Sequence, residues 1–293
     1  MKTFLIWLLA VTITLSSAIY QRITGPTHPI SGSVNFNNQE ICYHFYRSHG
    51  GTSDQTVAIP VSDTSFTGIL FWKRYKTGDS WRKVKMHRRN DSLVASLPNQ
   101  PPAGKLEYFV KISDNKNSIT LPQKHTVVIR FKGAVPTPIL IIHIIFMFTA
   151  MLLSVRTGLE FFRKEPKLYK LTYWTLATLT IGGLIFGPLV QQYAFGALWT
   201  GFPFGHDLTD NKTLIIFVGW LIALLMYKRA KHPARWAFAA SLLMMLIYLI
   251  PHSALGSELD YNKLDKEKAK QEKLINKNEN TINDTTKTED NKK

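Results

Sequence analysis

Residues 137–155, TPILIIHIIFMFTAMLLSV, form an apolar run that is interrupted by a single ionisable side chain, His143. A helix crosses the hydrocarbon core of a bilayer with roughly 20 residues, so this run has the length of a membrane span. Three similar runs follow, at 171–190, 213–227 and 236–251. The sequence therefore predicts a four-helix transmembrane bundle over 137–256. The mean hydropathy of −0.05 does not reveal this bundle, because the mean combines apolar segments with strongly polar ones.

A fifth apolar run, residues 4–19, lies close to the N-terminus and follows Lys2. Its length and the small residues Ser16 and Ala18 fit a secretory signal peptide, but the run could equally remain as an uncleaved signal anchor. We leave both alternatives open for residues 1–20. In either case the chain from residue 20 onward is expected to be exported.

Basic residues predict the orientation of the spans, within a chain of net charge +16. Two short loops carry them: Arg156, Arg163, Lys164, Lys167 and Lys170 in one, and Lys228, Arg229, Lys231 and Arg235 in the other. Such loops stay in the cytoplasm. We therefore expect a protein of the bacterial inner membrane whose N-terminal domain, loop 191–212 and C-terminal tail are extracytoplasmic and face the periplasm.

Between the apolar runs, residues 29–132 change to short alternating strands separated by turn residues. Seven or more strands in about 100 residues are typical of an antiparallel β-sandwich. Cys42, the single cysteine, excludes an internal disulfide, and the stretch around it predicts a buried strand position. The segment 257–293 is rich in Lys, Glu and Asn with few apolar residues, so it is predicted to be a disordered polar tail.

The segment SLPNQPPAGKLEYFVKI, residues 96–112, resembles the E–F corner of fibronectin type III and related immunoglobulin-like domains. The resemblance rests on Leu97, Pro98 and Tyr108, with Trp72 where such folds often bury an aromatic residue. It implies an all-β immunoglobulin-like sandwich over 29–132. It implies no activity, since these sandwiches serve many functions.

A polar site is predicted on the extracytoplasmic side. His206, Asp207, Asp210 and Lys212 stand just before a span, and one of them would be enough to cap the helix. The topology brings His143 and His252 to the same layer as His206. Neutral imidazole binds haem iron and divalent metals, so these three histidines are candidate ligands of haem b or of a divalent metal. Each alone could instead be a hydrogen-bonded interface residue.

The loop ahead of that span strengthens the haem hypothesis through a resemblance. Phe195-Gly196-x-x-Trp199-Thr200 and then His206-Asp207-x-x-Asp210 with Thr213 resemble the outward Trp-rich loop of cytochrome c assembly proteins. Their motif is W-G-x-x-W-x-W-D-x-x-E-T, so this chain has Phe195 for the first tryptophan and five inserted residues. The resemblance implies haem handling, with Asp210 at the acidic position. In a haem-handling protein we would expect Trp199 and Phe204 to cover the ring and Asp207 and Lys212 to be polar anchors.

Several functions therefore stay open. The first is a membrane redox or haem-handling component, and the second is a non-enzymatic scaffold or sensor whose sandwich binds an extracytoplasmic protein partner. Transport of a metal or small solute is a third, less supported by the pattern, which has no inverted repeat. Membrane lipids are expected partners. No catalytic triad or phosphate-binding loop is present, and no Arg-rich aromatic patch indicates nucleic acid.

Overall fold

The computed structural model describes residues 3–37, 39–114, 116–251, 258–273 and 275. An N-terminal helix leads into a β-domain, which leads into a helical bundle. The strands are β1 Ile30–Phe36, β2 Gln39–Phe45, β3 Ser48–Gly50, β4 Gln55–Pro60, β5 Thr67–Arg74, β6 Arg82–Lys85, β7 His87–Arg89, β8 Ser92–Leu97, β9 Lys105–Ser113, β10 Ser118–Leu121 and β11 Val127–Lys132. The helices are α1 Thr3–Thr24, α2 Thr137–Gly158, α3 Leu168–Leu179, α4 Gly187–Phe195, α5 Leu208–Arg229 and α6 Pro233–Leu249.

The β-domain has its strands in three sheets that share one apolar core. The largest sheet has the order β3-β11-β9-β5-β6, with β10 also paired to β9, while β4-β8-β7 and β1-β2 form the other two. Successive side chains of a strand point to opposite faces. In β9 this buries Leu106, Tyr108, Val110 and Ile112 and leaves the residues between them partly exposed. The β-rich region predicted for 29–132 is confirmed.

Cys42 is exposed, so the prediction that it is buried is wrong. In β2 the side chains of Ile41 and Phe45 are buried and that of Tyr43 is partly buried. Because a strand alternates, Cys42 and His44 must then point outward. The apolar residues on both sides of Cys42 had suggested burial, but the alternation of the strand decides it.

Four helical segments are long and apolar enough to cross a membrane: Thr3–Thr24, Thr137–Phe162, Leu168–Phe195 and Leu208–Arg229. The second is α2 with a final 3-10 turn, Leu159–Phe162, and the third joins α3 and α4 through a π-helical segment, Thr180–Phe186. α6 is apolar but shorter, at 17 residues. These helices indicate a membrane-embedded protein. The four membrane-length segments include α1 and leave α6 out, whereas the sequence predicted four spans after the β-domain.

α1 packs as a member of the bundle. Ile6, Ala10, Thr14 and Ser17 repeat every three or four residues, so they lie on one face of the helix, and that face is buried. At the end of α1, the Gln21 side-chain amide donates to the backbone oxygen of Tyr248, which belongs to α6, at 2.8 Å. If α1 is not cleaved as a signal peptide, it therefore packs against the other helices of the bundle.

The bundle has an apolar centre and two chemically different ends. Trp220 of α5 is fully buried among small and apolar side chains from the other helices. α2 starts next to the β-domain, and with 22 residues it carries the chain about 33 Å away. At that far end Glu160 is fully buried with Arg156, which is 3% exposed.

The C-terminal strap, residues 258–273, lies against the β-domain and is helical from 261 to 273. The structure differs here from the predicted disordered tail; most of the tail after 273 lies outside the described residues. Tyr261 is 4% exposed, and its hydroxyl donates to Gln100 Oε1 at 3.0 Å and to the Lys105 oxygen at 3.1 Å. Glu258 pairs with Lys105 at 2.6 Å and with Lys76 at 2.9 Å. Arg74 pairs with Asp265 at 2.8 Å. The average composition of the tail does not reveal these few contacts.

We expect acid to release the strap. Burial would raise the pKa of Glu258, but hydrogen bonds from Lys105 and Lys76 outweigh it and lower the pKa below the usual 4.5. A carboxyl with a depressed folded-state pKa stabilises the docked state above its unfolded pKa and loses that effect as pH falls through the folded pKa. The protection factors of 258–273, which correct for the pH dependence of intrinsic amide exchange, should therefore fall as the pH is lowered through 4.5 and below.

The control is Glu258→Gln, in which the strap should already exchange faster at neutral pH and respond less to acid. Exchange of β9 in the same samples reports whether the β-domain stays folded. Equal pH dependence of the strap in both proteins would contradict the assignment to Glu258.

Candidate functional site

A cavity of about 340 Å³ lies where the β-domain meets the helical bundle, and we call it the junction cavity. Its walls come from β11, α2, the π-helical segment, α4 and the start of α5. Its polar lining residues are Arg130, Lys132, His143, Gln191, Asp207, Thr209, Asp210 and Thr213. Its apolar lining residues are Val135, Leu140, Met147, Val190, Ala194 and Phe195. Three of the predicted site residues, His143, Asp207 and Asp210, therefore converge on one cavity.

A close joint holds the β-domain over this cavity. Gly133 follows β11 directly, and its N–H donates to the Ala194 oxygen of α4 at 3.0 Å. A Cβ at Gly133 would collide with the backbone oxygen of Tyr193, so glycine is required by this approach. The joint brings the last two basic residues of β11 above the bundle.

Those two residues, Arg130 and Lys132, form the cationic wall of the cavity. Arg130 is 6% exposed, and its guanidinium carbon lies 4.0 Å from the ring centre of Phe195, a cation–π contact. Burial lowers the pKa of Arg130, while the charges of Asp207 and Glu258 partly offset that effect. Burial also lowers the pKa of Lys132, and the neighbouring charges of Arg130 and Arg22 lower it further. Both changes reflect cations that are poorly solvated.

Opposite this wall, His143 of α2 is held by an irregular turn of the neighbouring span. Pro188 has no N–H to donate to the preceding turn, and the residues before it adopt the wider π-helix. There the Gly182 oxygen accepts both the Gly187 N–H and a hydrogen bond from His143 Nδ1, at 2.9 Å. Since a carbonyl only accepts, Nδ1 must carry the proton. In the neutral ring, Nε2 is then the acceptor.

Asp210 organises the loop between α4 and α5 from a buried position, 5% exposed. Its Oδ2 atom accepts from Thr200 N at 2.6 Å, from Gly201 N at 3.0 Å, and from Gln191 Nε2 at 3.0 Å. The Thr200 hydroxyl adds a fourth contact at 3.3 Å. The carboxylate is thus used mainly to fix the loop.

Two more predicted residues serve the helix ends. Asp207 caps α5, accepting from Thr209 N at 2.7 Å, and also lines the cavity. The Lys212 amine donates to the Ile250 oxygen at 2.9 Å and to the Pro251 oxygen at 3.2 Å, which terminates α6. It does not line the junction cavity.

The remaining described candidates lie on the loop, outside the lining of the cavity. The Trp199 indole donates to the Phe202 oxygen at 3.0 Å. Phe204 is 83% exposed, and His206 is exposed as well. The structure therefore does not bring Trp199, Phe204 and His206 together with His143.

His252, the second proposed haem ligand, lies outside the described residues. Among the residues that are described, no group of three or more His, Cys, Asp or Glu could hold a metal ion. The haem b and divalent-metal assignments stay predictions.

The structure also adds residues that the sequence did not single out. Arg130, Lys132 and Gln191 join the site because the domain joint and the loop fold bring them there. The available signal was the pair of basic residues at the end of the last strand, directly before Gly133. Comparisons with known protein families and with curated proteins give no significant match.

Proposed function

We propose that this chain is an inner-membrane protein whose junction cavity, on the extracytoplasmic side, binds an amphiphile with an anionic head. The observation that carries the proposal is the pairing of a cationic wall, formed by buried Arg130 and half-buried Lys132, with an apolar lining at the membrane end of the β-domain. The proposed activity is binding.

The orientation follows from charge. The two basic loops flank the ends of the helices that lie away from the β-domain, and positively charged loops stay in the cytoplasm. The β-domain and the strap then lie outside, α1 acts as a retained signal anchor, and α6 spans with some tilt or local thinning of the bilayer.

We further propose an immunoglobulin-like sandwich for the β-domain. Sheets on both sides of one core and the buried Trp72, 7% exposed, support it. Tyr108 is buried as in a tyrosine corner, but its hydroxyl donates to the Tyr46 oxygen at 2.9 Å, far back along the chain. In the corner of known domains the bond reaches only a few residues upstream.

Charge argues for an anionic head. Asp207 offsets the charge of Arg130, and Asp210 is engaged with the loop, but Lys132 has no ion-pair partner among the described side chains. Lys132 is half-buried, and removing a cation from water is costly unless it is paired. A phosphate or carboxylate accepts charge-assisted hydrogen bonds from both basic residues, and His143 Nε2 can accept one from a hydroxyl of the head.

The lining argues for an amphiphile over a free anion. Leu140, Val190 and Met147 continue the cavity away from the cations, and Leu140 is itself 36% exposed toward the outside of the bundle. Binding sites of 300–1,000 Å³ are usually mostly apolar with a few polar groups that fix orientation. Haem, with carboxylates on an apolar ring, belongs to the same class and remains one candidate.

The test compares ligands that separate the contribution of the anionic head from that of the apolar chains. Purified protein in a neutral detergent is titrated with dioctanoyl phosphatidate, dioctanoyl phosphatidylcholine, inorganic phosphate and haem, and binding is measured by native mass spectrometry and by thermal shift. We expect phosphatidate to bind at least tenfold more tightly than the choline lipid or free phosphate. Haem that binds more tightly than phosphatidate and shows a Soret band would instead support haem as the ligand of this cavity.

Substitutions at Arg130 and Lys132 test whether the cationic wall binds the head of the ligand. Lys132→Gln and Arg130→Lys should each weaken phosphatidate about tenfold, since a charge-assisted hydrogen bond contributes roughly 1.5–3 kcal/mol. The matched control is Lys124→Gln, an exposed basic residue of the same domain, which should leave the affinity unchanged. Equal affinity for charged and neutral lipids, or equal effects of Lys124→Gln and Lys132→Gln, would refute the proposal and favour the scaffold or sensor.

A further inference from the structure

A second cavity, of about 310 Å³, lies beside the first, and we call it the anchor cavity. It is formed where α1, α2 and α6 meet, and it is lined at one end by Gln21 and Arg22. Its apolar lining includes Ala18, Ile144 and Phe148. Ile144 is 43% exposed and Phe148 39% exposed, so this cavity is open on the outer surface of the bundle.

The two cavities share part of their lining. His143 and Met147, one helical turn apart on α2, line both of them. The side chain of His143 is held in place by its hydrogen bond to the Gly182 oxygen. The cavities are therefore neighbours along one helix, with two side chains between them.

Both cavities also have basic side chains in their lining. Arg130 and Lys132 line the junction cavity, and Arg22 lines the anchor cavity. Arg22 is close enough for its charge to lower the pKa of Lys132, after the larger effect of burial. Like charges that lie near one another repel, and an anion that binds among them relieves that repulsion.

From this arrangement we infer that the two cavities form one binding site for an amphiphile with two apolar chains and one anionic head. The head lies among Arg22, Arg130 and Lys132, one chain enters the junction cavity, and the other enters the anchor cavity. The inference rests on the proposed function and names the ligand class more closely, as a diacyl phosphate lipid. It also requires α1 to remain attached, because α1 supplies one wall.

The experiment closes one cavity at a time. Ala18→Phe fills the anchor cavity and Val190→Phe fills the junction cavity. Leu15→Phe on the same helix as Ala18 is the control, because Leu15 is 53% exposed and lines neither cavity. Each variant is titrated with dioctanoyl phosphatidate and with its single-chain counterpart, monooctanoyl lysophosphatidate.

We expect each filled cavity to weaken the two-chain lipid about tenfold. The single-chain lipid should change less than twofold, because one cavity remains open to it. Leu15→Phe should change neither affinity. Should Ala18→Phe fail to fold, Ile144→Trp, on the exposed rim of the same cavity, replaces it.

The outcomes separate the two proposals. If Val190→Phe weakens both lipids and the anchor-cavity variants weaken neither, the ligand occupies the junction cavity alone; this inference is then wrong while the proposed function stands. If wild-type protein does not discriminate phosphatidate from the choline lipid, the proposed function itself fails.

Discussion

Replacing Glu160 by alanine is expected to destabilise the bundle by about 3–5 kcal/mol, the cost of breaking a buried ion pair from one side. Glu160 is fully buried, and its Oε1 atom lies 2.5 Å from Arg156 Nη1 and 3.1 Å from Arg163 Nη1. Its Oε2 atom accepts from Lys167 N, just before α3, at 2.6 Å. The alanine variant leaves two guanidinium groups without their carboxylate and one backbone N–H without its acceptor. Equilibrium unfolding in mixed micelles, followed by helical circular dichroism, measures the loss.

Two companion variants show whether charge is the cause. Glu165→Ala removes an exposed acid five residues away and should change stability by less than about 0.5 kcal/mol. The double variant Arg156→Met, Glu160→Met replaces the pair by apolar side chains and should recover much of the loss, since buried pairs are often no more stabilising than hydrophobic replacements. A double variant as unstable as Glu160→Ala would contradict this explanation and point to packing.

Asp210→Ala is the second large effect that we expect. The substitution removes the acceptor shared by Thr200 N, Gly201 N and Gln191 Nε2, and an unsatisfied buried donor costs roughly 1–3 kcal/mol. We expect about 3 kcal/mol of local destabilisation and faster hydrogen exchange over residues 198–206. Because Gln191 lines the junction cavity, affinity for phosphatidate should also fall, by about tenfold.

Asp207→Ala is the matched control for this prediction. It removes an acid three residues away that caps α5, and loss of such a cap costs typically about 1 kcal/mol. Its effect on exchange should be confined to the first turn of α5. Slow exchange of residues 198–206 in Asp210→Ala would show that the loop is held by other contacts.

These expectations separate stability from binding along the length of the bundle. Glu160 lies at the end away from the β-domain, so Glu160→Ala should lower stability without a specific effect on ligand affinity in the folded fraction. Lys132→Gln should lower ligand affinity and leave the stability of the bundle unchanged. The two ends of α2 thus carry different tasks, a buried ion pair at one and a binding site at the other.

The apolar segments and the β-rich region could be found from the sequence because their signals are local. A helix that crosses a membrane must be apolar over about 20 residues, and a strand must alternate, so residues 137–155 and β9 reveal their structure without a partner. Local patterns did not predict the exposure of Cys42, because a shift of one residue along a strand reverses which face a side chain occupies. They also did not predict the strap, because a few contacts such as those of Tyr261 hold an otherwise polar segment.

The assembly of the site depended on tertiary structure. His143, Asp207 and Asp210 were candidates from their place along the chain, but Arg130 and Lys132 join them only because Gly133 packs against Ala194. Lys212 was a candidate for the same reason, yet its amine donates to the Ile250 oxygen at the end of α6. Hydrophobic pattern determines which segments are buried; which polar groups then meet depends on how those segments pack, because each buried donor, acceptor and charge must find its partner in three dimensions.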